Sequence, residues 1–577
     1  MITLRFRLFP SLFIFSLLTA CASTVKPEPE SKPAGPETAQ AEANLPKVAL
    51  TPDILYNLLV GEIAGQRGQI SVAASTLGKV ARETRDPRIA ERATLAALYA
   101  KRYNEALQSA QLWSGLQPDD TEAREAVITA LLELNRVPEA KSQFESLFGM
   151  EQTRRHLDQA YLRAAAILGR ASNRTAGIEV MRSLVALHPE QASGHFAMAH
   201  LMVRGGDLEG ALHADEEALK FQPDWEDAAL FKARILMSLK EPQKAREFFA
   251  QFLDSNPGAT SVRLNYARFL IDQKEWDKAL EQFKRVASDM PDDADTVYAV
   301  GLLSLQTNHL DEARKYLKRA LELRPQNNQV RLYLGEVAEQ SKRYDDAARW
   351  YREIRNGEYY FEAQVRLGAV LARQGDLDGA RRHLESIQPQ NDRERVQLAL
   401  TEEQILRKAK QYRQALDVMN AALKAVPGDK DLLYARALAA EKLDMFDVTE
   451  HDLREILKQD PKNVNALNAL GYTLTDRTTR YKEALALLQQ AMALKPDDAY
   501  ILDSMGWLQY RLGNNAEAVK YLKHALEIHN DAEIAAHLGE VLWVMGNHSE
   551  AESVWNRALR ETPDNEALNN VIKKFKQ

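Results

Sequence analysis

The stretch from Asp295 to Asn327 constrains this chain most, because the rest of the chain repeats its pattern imperfectly. Apolar residues recur at helical spacing in each half of the stretch, and three residues that favour a turn, 307–309, separate the halves. Pro325 follows the second half, and a proline has no amide proton to donate within a helix. The stretch therefore predicts a hairpin of two helices whose second helix ends close to Pro325.

Small residues mark the other copies of this hairpin. Ala313 occupies a place where two helices approach closely, since a larger side chain there would hold them apart. The equivalent small residues are Ala73, Ala106, Ala140, Gly177, Ala211, Ala245, Ala279, Ala347, Ala380, Ala415, Ala484, Ala518 and Ala551, and Thr449 occupies the one remaining place. From Gly177 through Ala347 each step is 34 residues. This fixed period predicts one long stack of similar units rather than several separate globular domains.

Two further landmarks keep the same period. A proline lies twelve residues after the small residue at Pro118, Pro189, Pro223, Pro257, Pro291, Pro325, Pro427, Pro461, Pro496 and Pro563. A glycine or alanine lies twelve residues before it at Gly61, Ala199, Ala233, Ala267, Gly301, Gly335, Gly368, Ala437, Gly506 and Gly539. Together the landmarks predict about 15 helical hairpins, some of them degenerate.

This pattern resembles the tetratricopeptide repeat (TPR) family over about nine tenths of the chain. The resemblance implies an all-α fold, a TPR-type solenoid of helix hairpins that forms a right-handed superhelix. The sequence departs from the family at the usual tryptophan position, which holds Val297 in the most regular unit and Thr94, Ile128 and Glu403 in others. In TPR proteins the first helix of each unit lines an inner surface, where extended peptides or partner helices bind.

The N-terminal sequence has the features expected of a targeting signal. Two arginines precede an apolar run, 8–18, that is too short to cross a bilayer, which predicts a secretory signal peptide. The letters LTAC, which end at Cys21, are similar to the lipobox of bacterial lipoproteins. That resemblance implies acylation of Cys21, and the following Ala22 and Ser23 imply sorting to the periplasmic face of the outer membrane. The alternative is an ordinary signal peptide with an incidental cysteine.

The order of these features predicts the division of the chain. Residues 22–47 contain five prolines and almost nothing apolar, which is typical of a disordered tether. The step from Ala140 to Gly177 is 37 residues and indicates a joint near residue 150. We therefore expect a signal peptide at 1–20, the lipidated cysteine and tether at 21–47, N-terminal helical repeats at 48–150, the main TPR array at 151–565 and a capping helix at 566–577.

The sequence contains no recognisable catalytic, cofactor or metal motif. Residues 73–80 are superficially similar to a phosphate-binding loop, but Ala73 replaces its first glycine and Val80 its hydroxyl residue. His195 and His200 lack the spacing of a zinc motif, and the aspartates around Pro291 are expected to cap the helix that follows. A net charge of −7 argues against a nucleic-acid partner. We expect a binding protein that needs no cofactor or metal, not an enzyme.

The inner surface implied by the TPR resemblance is the candidate partner site. Counting from the small residues of each unit places His200, Arg204, Arg234 and Arg268 on it in the middle of the chain. Near the C-terminus the same count gives Asn465, Asn468, Tyr472, Asp503, Trp507, Tyr510, Arg511, Glu540 and Trp543. Exposed aromatic residues mixed with charges are typical of interface hot spots. The alternative is that Trp507 and Trp543 merely fill gaps between repeats.

Several segments are similar to the TPR lipoproteins that act as adaptors of a periplasmic carboxy-terminal processing protease. These segments are Gly61 to Gly68, Arg85-Asp86-Pro87 with Ala90 to Ala93, Asn468 to Tyr472, Leu502 to Trp507 and Ala535 to Glu540. The resemblance implies a periplasmic scaffold that binds envelope proteins and presents peptidoglycan hydrolases to the protease. Two alternatives stay open. One is a structural component of an envelope assembly for pilus or polysaccharide export, and the other is an enzyme, for which no domain outside the repeats is left.

Overall fold

The computed structural model describes Pro46 and residues 48–576. This part of the chain consists of α-helices joined by short connections and contains no strand. The expected signal peptide, Cys21 and most of the expected tether lie outside the described residues. Among residues 48–576, none of the helices combines the length and the apolar character that crossing a membrane requires.

The helices follow one another closely along the sequence. The first half contains α1 Pro52–Gln66, α2 Ile70–Thr84, α3 Pro87–Tyr99, α4 Tyr103–Leu116, α5 Thr121–Glu133, α6 Val137–Gly149, α7 Glu151–Arg154, α8 Leu157–Leu168, α9 Arg174–Val185, α10 Ala192–Gly205, α11 Leu208–Phe221, α12 Glu226–Ser238, α13 Pro242–Ser255, α14 Thr260–Asp272, α15 Trp276–Asp289 and α16 Ala294–Gln306. The second half contains α17 Leu310–Leu323, α18 Asn328–Gln340, α19 Tyr344–Glu353, α20 Tyr360–Arg373, α21 Leu377–Ser386, α22 Asp392–Lys408, α23 Tyr412–Ala425, α24 Lys430–Glu441, α25 Phe446–Gln459, α26 Val464–Arg477, α27 Tyr481–Leu494, α28 Ala499–Arg511, α29 Asn515–Ile528, α30 Ala532–Val544, α31 His548–Glu561 and α32 Glu566–Lys576.

The described residues form two compact units, which we call the first unit (48–307) and the second unit (308–576). Within each unit a helix packs mainly against the helices next to it in sequence, as α10 does against α11 and α28 against α29. This arrangement of consecutive helix pairs confirms the all-α repeat fold predicted from the sequence.

The sequence landmarks occupy the places expected of them. The small residues of the series are buried, Ala313 completely. The prolines follow the ends of second helices, since α15 ends at Asp289 before Pro291 and α31 ends at Glu561 before Pro563. Asp293 accepts a hydrogen bond from the Thr296 amide and so caps α16, as expected for the aspartates around Pro291.

Glycine is required at some of these places because the paired helices approach so closely. A β-carbon on Gly539 of α30 would lie 2.0 Å from Nε1 of Trp555 on α31, whose ring is fully buried. A β-carbon on Gly335 of α18 would lie 2.2 Å from Cε1 of Tyr351 on α19. The large ring of the second helix therefore fills the space that the missing side chain leaves on the first.

The irregular step near residue 150 does not interrupt the core. The additional residues form the short helix α7, and the rings of Phe148 and Tyr161 on its two sides meet edge to face at 4.9 Å. The Tyr161 hydroxyl donates to the carbonyl of Leu184 at 2.8 Å, and apolar packing continues on both sides. A domain boundary at residue 150 stays a prediction.

Two second helices of the second unit are short. Helices α19 and α21 have 10 residues each, whereas α17 has 14, and Tyr359 and Asp392 occupy the positions where the repeat pattern places a proline. The side-chain amide of Gln364 donates to the carbonyls of Ile354 at 3.1 Å and of Tyr351 at 3.4 Å. The lost end of α19 is therefore compensated by a side chain of the next helix.

The C-terminal end of the second unit is covered by α32. Leu568 of this helix is fully buried, and the ring of Phe575 stacks on Trp555 at 6.4 Å. Farther back in the same unit, Nζ of Lys410 lies 3.0 Å from Oε2 of Glu566. Because more than one hundred residues separate these two side chains, the second unit curves back on itself.

Candidate protein-binding surfaces

The C-terminal candidate residues lie on three successive first helices of the second unit, α26, α28 and α30. Asp503, Trp507, Tyr510 and Arg511 share one side of α28, because they are spaced by four, seven and eight residues. The rings of Trp507 and Tyr510 lie 5.1 Å apart. Tyr472 projects from α26 towards the same group, as its ring contact with α30 shows. The structure thus brings these residues together.

The centre of this group is His537 on α30, a residue that the sequence analysis did not select. Its Nδ1 lies 2.9 Å from Oδ1 of Asp503, and its ring stacks on Trp507 at 4.3 Å and lies 6.1 Å from Tyr472. Burial alone would lower the pKa of His537, but the adjacent Asp503 carboxylate raises it above the usual value. His537 lies 34 residues, one repeat period, after Asp503. Its place in the repeat is therefore the sequence signal that could have identified it.

The remaining polar groups of α28 are also paired. Nε1 of Trp507 donates to Oδ1 of Asp476 at 3.3 Å. Arg511 donates to the backbone carbonyl of Asp476 at 3.1 Å and to the hydroxyl of Tyr481 at 3.3 Å. Both α28 side chains are therefore held against the preceding pair of helices.

Glu540 and Trp543 on α30 are held in the same way. Oε1 of Glu540 accepts from the Tyr510 hydroxyl at 3.3 Å and from Nζ of Lys574 at 2.9 Å. Burial, together with Glu540, raises the pKa of the Tyr510 hydroxyl. The ring of Trp543 stacks on His548 at 4.3 Å and on Trp555 at 5.6 Å.

These contacts correct one expectation about the C-terminal residues. Trp507, Asp503 and Glu540 are 8%, 7% and 5% exposed, so the expectation of exposed aromatics beside free charges is wrong for them. The reason is that residues one repeat away cover and pair them. Tyr472 is half-buried, and burial raises the pKa of its hydroxyl well above the usual value. The role of this group in partner binding stays a prediction.

The middle set, Arg204, Arg234 and Arg268, has the opposite character. These residues, which we call the arginine stripe, lie on the successive first helices α10, α12 and α14 and are all exposed. None of the three guanidinium groups forms an ion pair with another residue of the described part. Beside the stripe, the ring of His200 stacks on Phe231 at 3.9 Å. Burial, and to a smaller extent the positive charge of Arg234, lowers the pKa of His200.

Cations on the second helices of the same three hairpins are paired instead. Lys220 on α11 lies 3.0 Å from Glu217, Lys244 on α13 lies 2.9 Å from Glu241, and Arg285 on α15 lies 2.7 Å from Glu281. The arginine stripe therefore differs from these cations in having no ion-pair partner within residues 48–576. Within residues 48–576, no group of three or more His, Cys, Asp or Glu side chains is placed to hold a metal ion.

Comparison with known proteins defines the class. Models described as "Tetratricopeptide repeat" match residues 196–260, 298–361 and 446–499, residues 236–300, 477–536 and 509–574, and residues 362–386. The chain belongs to the tetratricopeptide repeat family. Its relative in Pseudomonas aeruginosa, TPR repeat-containing protein PA4667, is 40% identical over 527 residues, which cover 91% of this chain and 88% of the relative.

Solved structures similar to this chain include two bacterial TPR proteins. One, a thermophilic TPR protein in Thermus thermophilus, is 23% identical and covers 32% of this chain and 98% of its own, with a TM-score of 0.29. The other, a tetratricopeptide repeat protein from Parabacteroides merdae, is 16% identical and covers 49% of this chain and 99% of its own, with a TM-score of 0.34.

Proposed function

We propose that this TPR protein is an adaptor of the bacterial cell envelope. In this proposal it is anchored to the outer membrane through Cys21, binds envelope proteins in the periplasm, and presents cell-wall hydrolases to a carboxy-terminal processing protease. Membership of the TPR family supports a protein-interaction scaffold. The lipobox-like sequence before Cys21 supports the location. The chain acts by binding its partners and does not itself carry out a reaction.

The arginine stripe is the observation that carries the binding proposal. Its three guanidinium groups are exposed and have no ion-pair partner within residues 48–576, and they lie on successive first helices, the helices that bind partners in TPR proteins. A guanidinium group offers a planar set of donors that matches a carboxylate. We call a protein that the adaptor binds and presents to the protease its client. A client segment rich in Asp or Glu therefore binds along the stripe without displacing an ion pair. At the C-terminal group, by contrast, a client must first break pairs such as Asp503 with His537.

Replacing Arg204, Arg234 and Arg268 together by alanine tests this site. The matched control replaces Lys220, Lys244 and Arg285, which lie on the same three hairpins but on the second helices, so both variants lose three positive charges. After crosslinking in cells and purification of the tagged full-length chain, we expect envelope proteins to be recovered with wild type and control. With the stripe variant we expect at least tenfold lower recovery of these proteins, because truncating an arginine that is an interface hot spot costs on the order of 2 kcal/mol or more of binding. Equal recovery from all three chains contradicts the site.

The adaptor function itself is tested by the lifetimes of the captured proteins. An adaptor of a protease accelerates the loss of its clients, so their half-lives should lengthen when this chain is removed and shorten again when it is restored. Pulse-chase measurement of each captured protein gives these half-lives. Half-lives that do not respond to the chain contradict the adaptor function, and stoichiometric co-purification with a stable assembly favours the structural alternative.

A further inference from the structure

Exposed apolar side chains concentrate at the N-terminal end of the first unit. Large apolar residues that are exposed within residues 48–99 are Val48, Leu50, Leu55, Tyr56, Leu59, Ile63, Val72, Leu95 and Tyr99. On α1, Tyr56, Leu59 and Ile63 are 66%, 51% and 46% exposed. Their spacing of three, four and seven residues puts them on one side of the helix, which we call the α1 outer face. Contiguous exposed apolar surface of this kind marks interaction sites on soluble domains.

The repeat register identifies what this face is. Tyr56, Leu59 and Ile63 precede the small residue Ala73 by 17, 14 and 10 residues. The residues that precede Ala245 by the same distances are Ala228, Phe231 and Ile235, and they are 0%, 6% and 1% exposed. In the second unit, the residues that precede Ala551 in this way are Ile534, His537 and Val541, which are 1%, 8% and 0% exposed. The α1 outer face is thus the face that later first helices bury.

Inside the array, the second helix of the preceding hairpin covers this face. Ala214 and Ala218 of α11 belong to one apolar cluster with Phe231 and Ile235 of α12. The small side chains of α11 let the two helices approach closely. Helix α1 is held to the array on its other side, through Ile54, Gly61 and Ala64, which are buried. Its outer face has the shape that receives a helix, and none of the helices within residues 48–576 lies on it.

The chain's own upstream sequence is unsuited to fill this place. Residues 22–45 contain Pro27, Pro29, Pro33 and Pro36 and few large apolar residues. Proline interrupts a helix, and a segment with few apolar residues cannot form an apolar stripe. The apolar run at residues 8–18 belongs to the expected signal peptide, which is removed on export. We therefore infer that the occupant comes from another molecule.

We propose that the α1 outer face receives an amphipathic helix of a partner protein, seated where the second helix of a preceding hairpin would lie. The partner helix presents small residues, mainly alanine, at the close approach and larger apolar residues beside them, as α11 does towards α12. This site lies on a different surface from the arginine stripe. It rests on the proposed adaptor function, which requires the chain to hold a second protein besides its client.

A photo-crosslinking amino acid, p-benzoylphenylalanine, placed at Leu59 of the full-length chain tests the proposal in cells. We expect one discrete crosslinked protein, and mass spectrometry should place the crosslink on the apolar side of a helix in that protein. The same amino acid at Leu512, an apolar residue of similar exposure at 42%, should not give that product. A crosslink to a second copy of this chain, to lipid, or to an extended segment of a protein overturns the proposal.

Substitution then shows whether the face itself binds. Tyr56→Ser with Ile63→Ser should lower the yield of the product from position 59 at least tenfold, while the thermal unfolding of the chain stays unchanged because both side chains are exposed. Leu494→Ser with Ile528→Ser, a pair that is 42% and 45% exposed in the second unit, should leave the yield unchanged. An undiminished yield from the first variant overturns the site. If that happens while the stripe variant still loses its clients, this inference fails and the adaptor function stands.

Discussion

The two units depart from the repeat pattern in opposite ways. In the first unit the departures stay open: the α1 outer face is uncovered, the arginine stripe is unpaired, and both carboxylate oxygens of the buried Asp215 lack a hydrogen-bond partner in the described part of the chain. In the second unit two departures are compensated. Gln364 fills the end of the short α19, and α32 covers the last hairpin.

This difference distinguishes surface groups that are available to a partner from groups that already contact other residues of the chain. A group that is exposed and unpaired can meet a partner without breaking an existing contact, whereas a group that is already paired has to be released first. The arginine stripe and the α1 outer face of the first unit meet this condition, whereas the Asp503–His537 pair of the second unit does not. The following experiments test this contrast.

The largest expected effect belongs to Asp215. It lies four residues after the small residue Ala211, and the residues at that place in other hairpins include the buried Phe249, Phe283 and Leu317. Burial raises the pKa of the Asp215 carboxyl to about 8. An unfolded aspartate loses its proton near pH 4, so the folded state retains a proton that the unfolded state has lost, and stability falls as the pH rises from about 4 to about 8.

The variant Asp215→Leu should remove this loss of stability. We expect the free energy of unfolding of the variant to exceed that of wild type by an amount that grows with pH and reaches on the order of 3 to 5 kcal/mol at pH 9. Denaturant unfolding followed by circular dichroism at pH 5, 7 and 9 measures it. Asp224→Leu, at an exposed aspartate in the turn after α11, is the control. A difference that does not change with pH would show that Asp215 has a compensating partner.

The next effect compares an open position with its covered equivalent. Ile63 and Val541 occupy the same place in the repeat but are 46% and 0% exposed. Val541→Ser should lower the free energy of unfolding by about 3 kcal/mol, because it removes buried apolar volume and buries a hydroxyl. Ile63→Ser should change it by less than about 0.5 kcal/mol. Hydrogen exchange of α30 and α1 measures the loss of stability in each variant. Similar losses in Val541→Ser and Ile63→Ser would mean that the α1 outer face is covered in solution.

The smallest effect concerns the paired histidine of the second unit. The folded-state pKa of His537 is raised, so the stability that its pair with Asp503 contributes is complete below the unfolded pKa and is lost as the pH rises through the folded pKa. The free energy of unfolding of wild type should therefore fall by on the order of 1 kcal/mol towards alkaline pH, which is the scale of one net hydrogen bond. The free energy of unfolding of His537→Gln should not show this fall. Thermal unfolding across neutral and alkaline pH measures this. Parallel curves for the two chains contradict the pairing.

The sequence was sufficient to predict the fold because the repeat signal is local. A small residue, a turn and a proline at fixed distances specify a helical hairpin, and Ala313, Pro291 and Asp293 all take the places that this pattern predicts. The exposure of Arg204 and Arg234 also agrees with the register, since each residue's side of the helix follows from its position. Local periodicity fixes which way a side chain points.

The same reasoning failed where the next repeat supplies the partner. Trp507 and Asp503 were expected to be exposed, and they point to the expected side, but His537 and Asp476 from neighbouring repeats cover and pair them. Such contacts depend on the distance between hairpins, which single-helix periodicity does not contain. The open α1 outer face was missed for a related reason, because the sequence of α1 looks like that of a covered helix.

The ion pair of Lys410 with Glu566 joins two distant parts of the second unit and so closes its curve. Both side chains are about two-thirds exposed, at 68% and 69%, and an ion pair between exposed side chains contributes little to stability. Because both charges are exposed to solvent, salt screens the attraction between them. The closure of the second unit at this contact therefore depends on ionic strength, and the contact can open without exposing buried apolar surface.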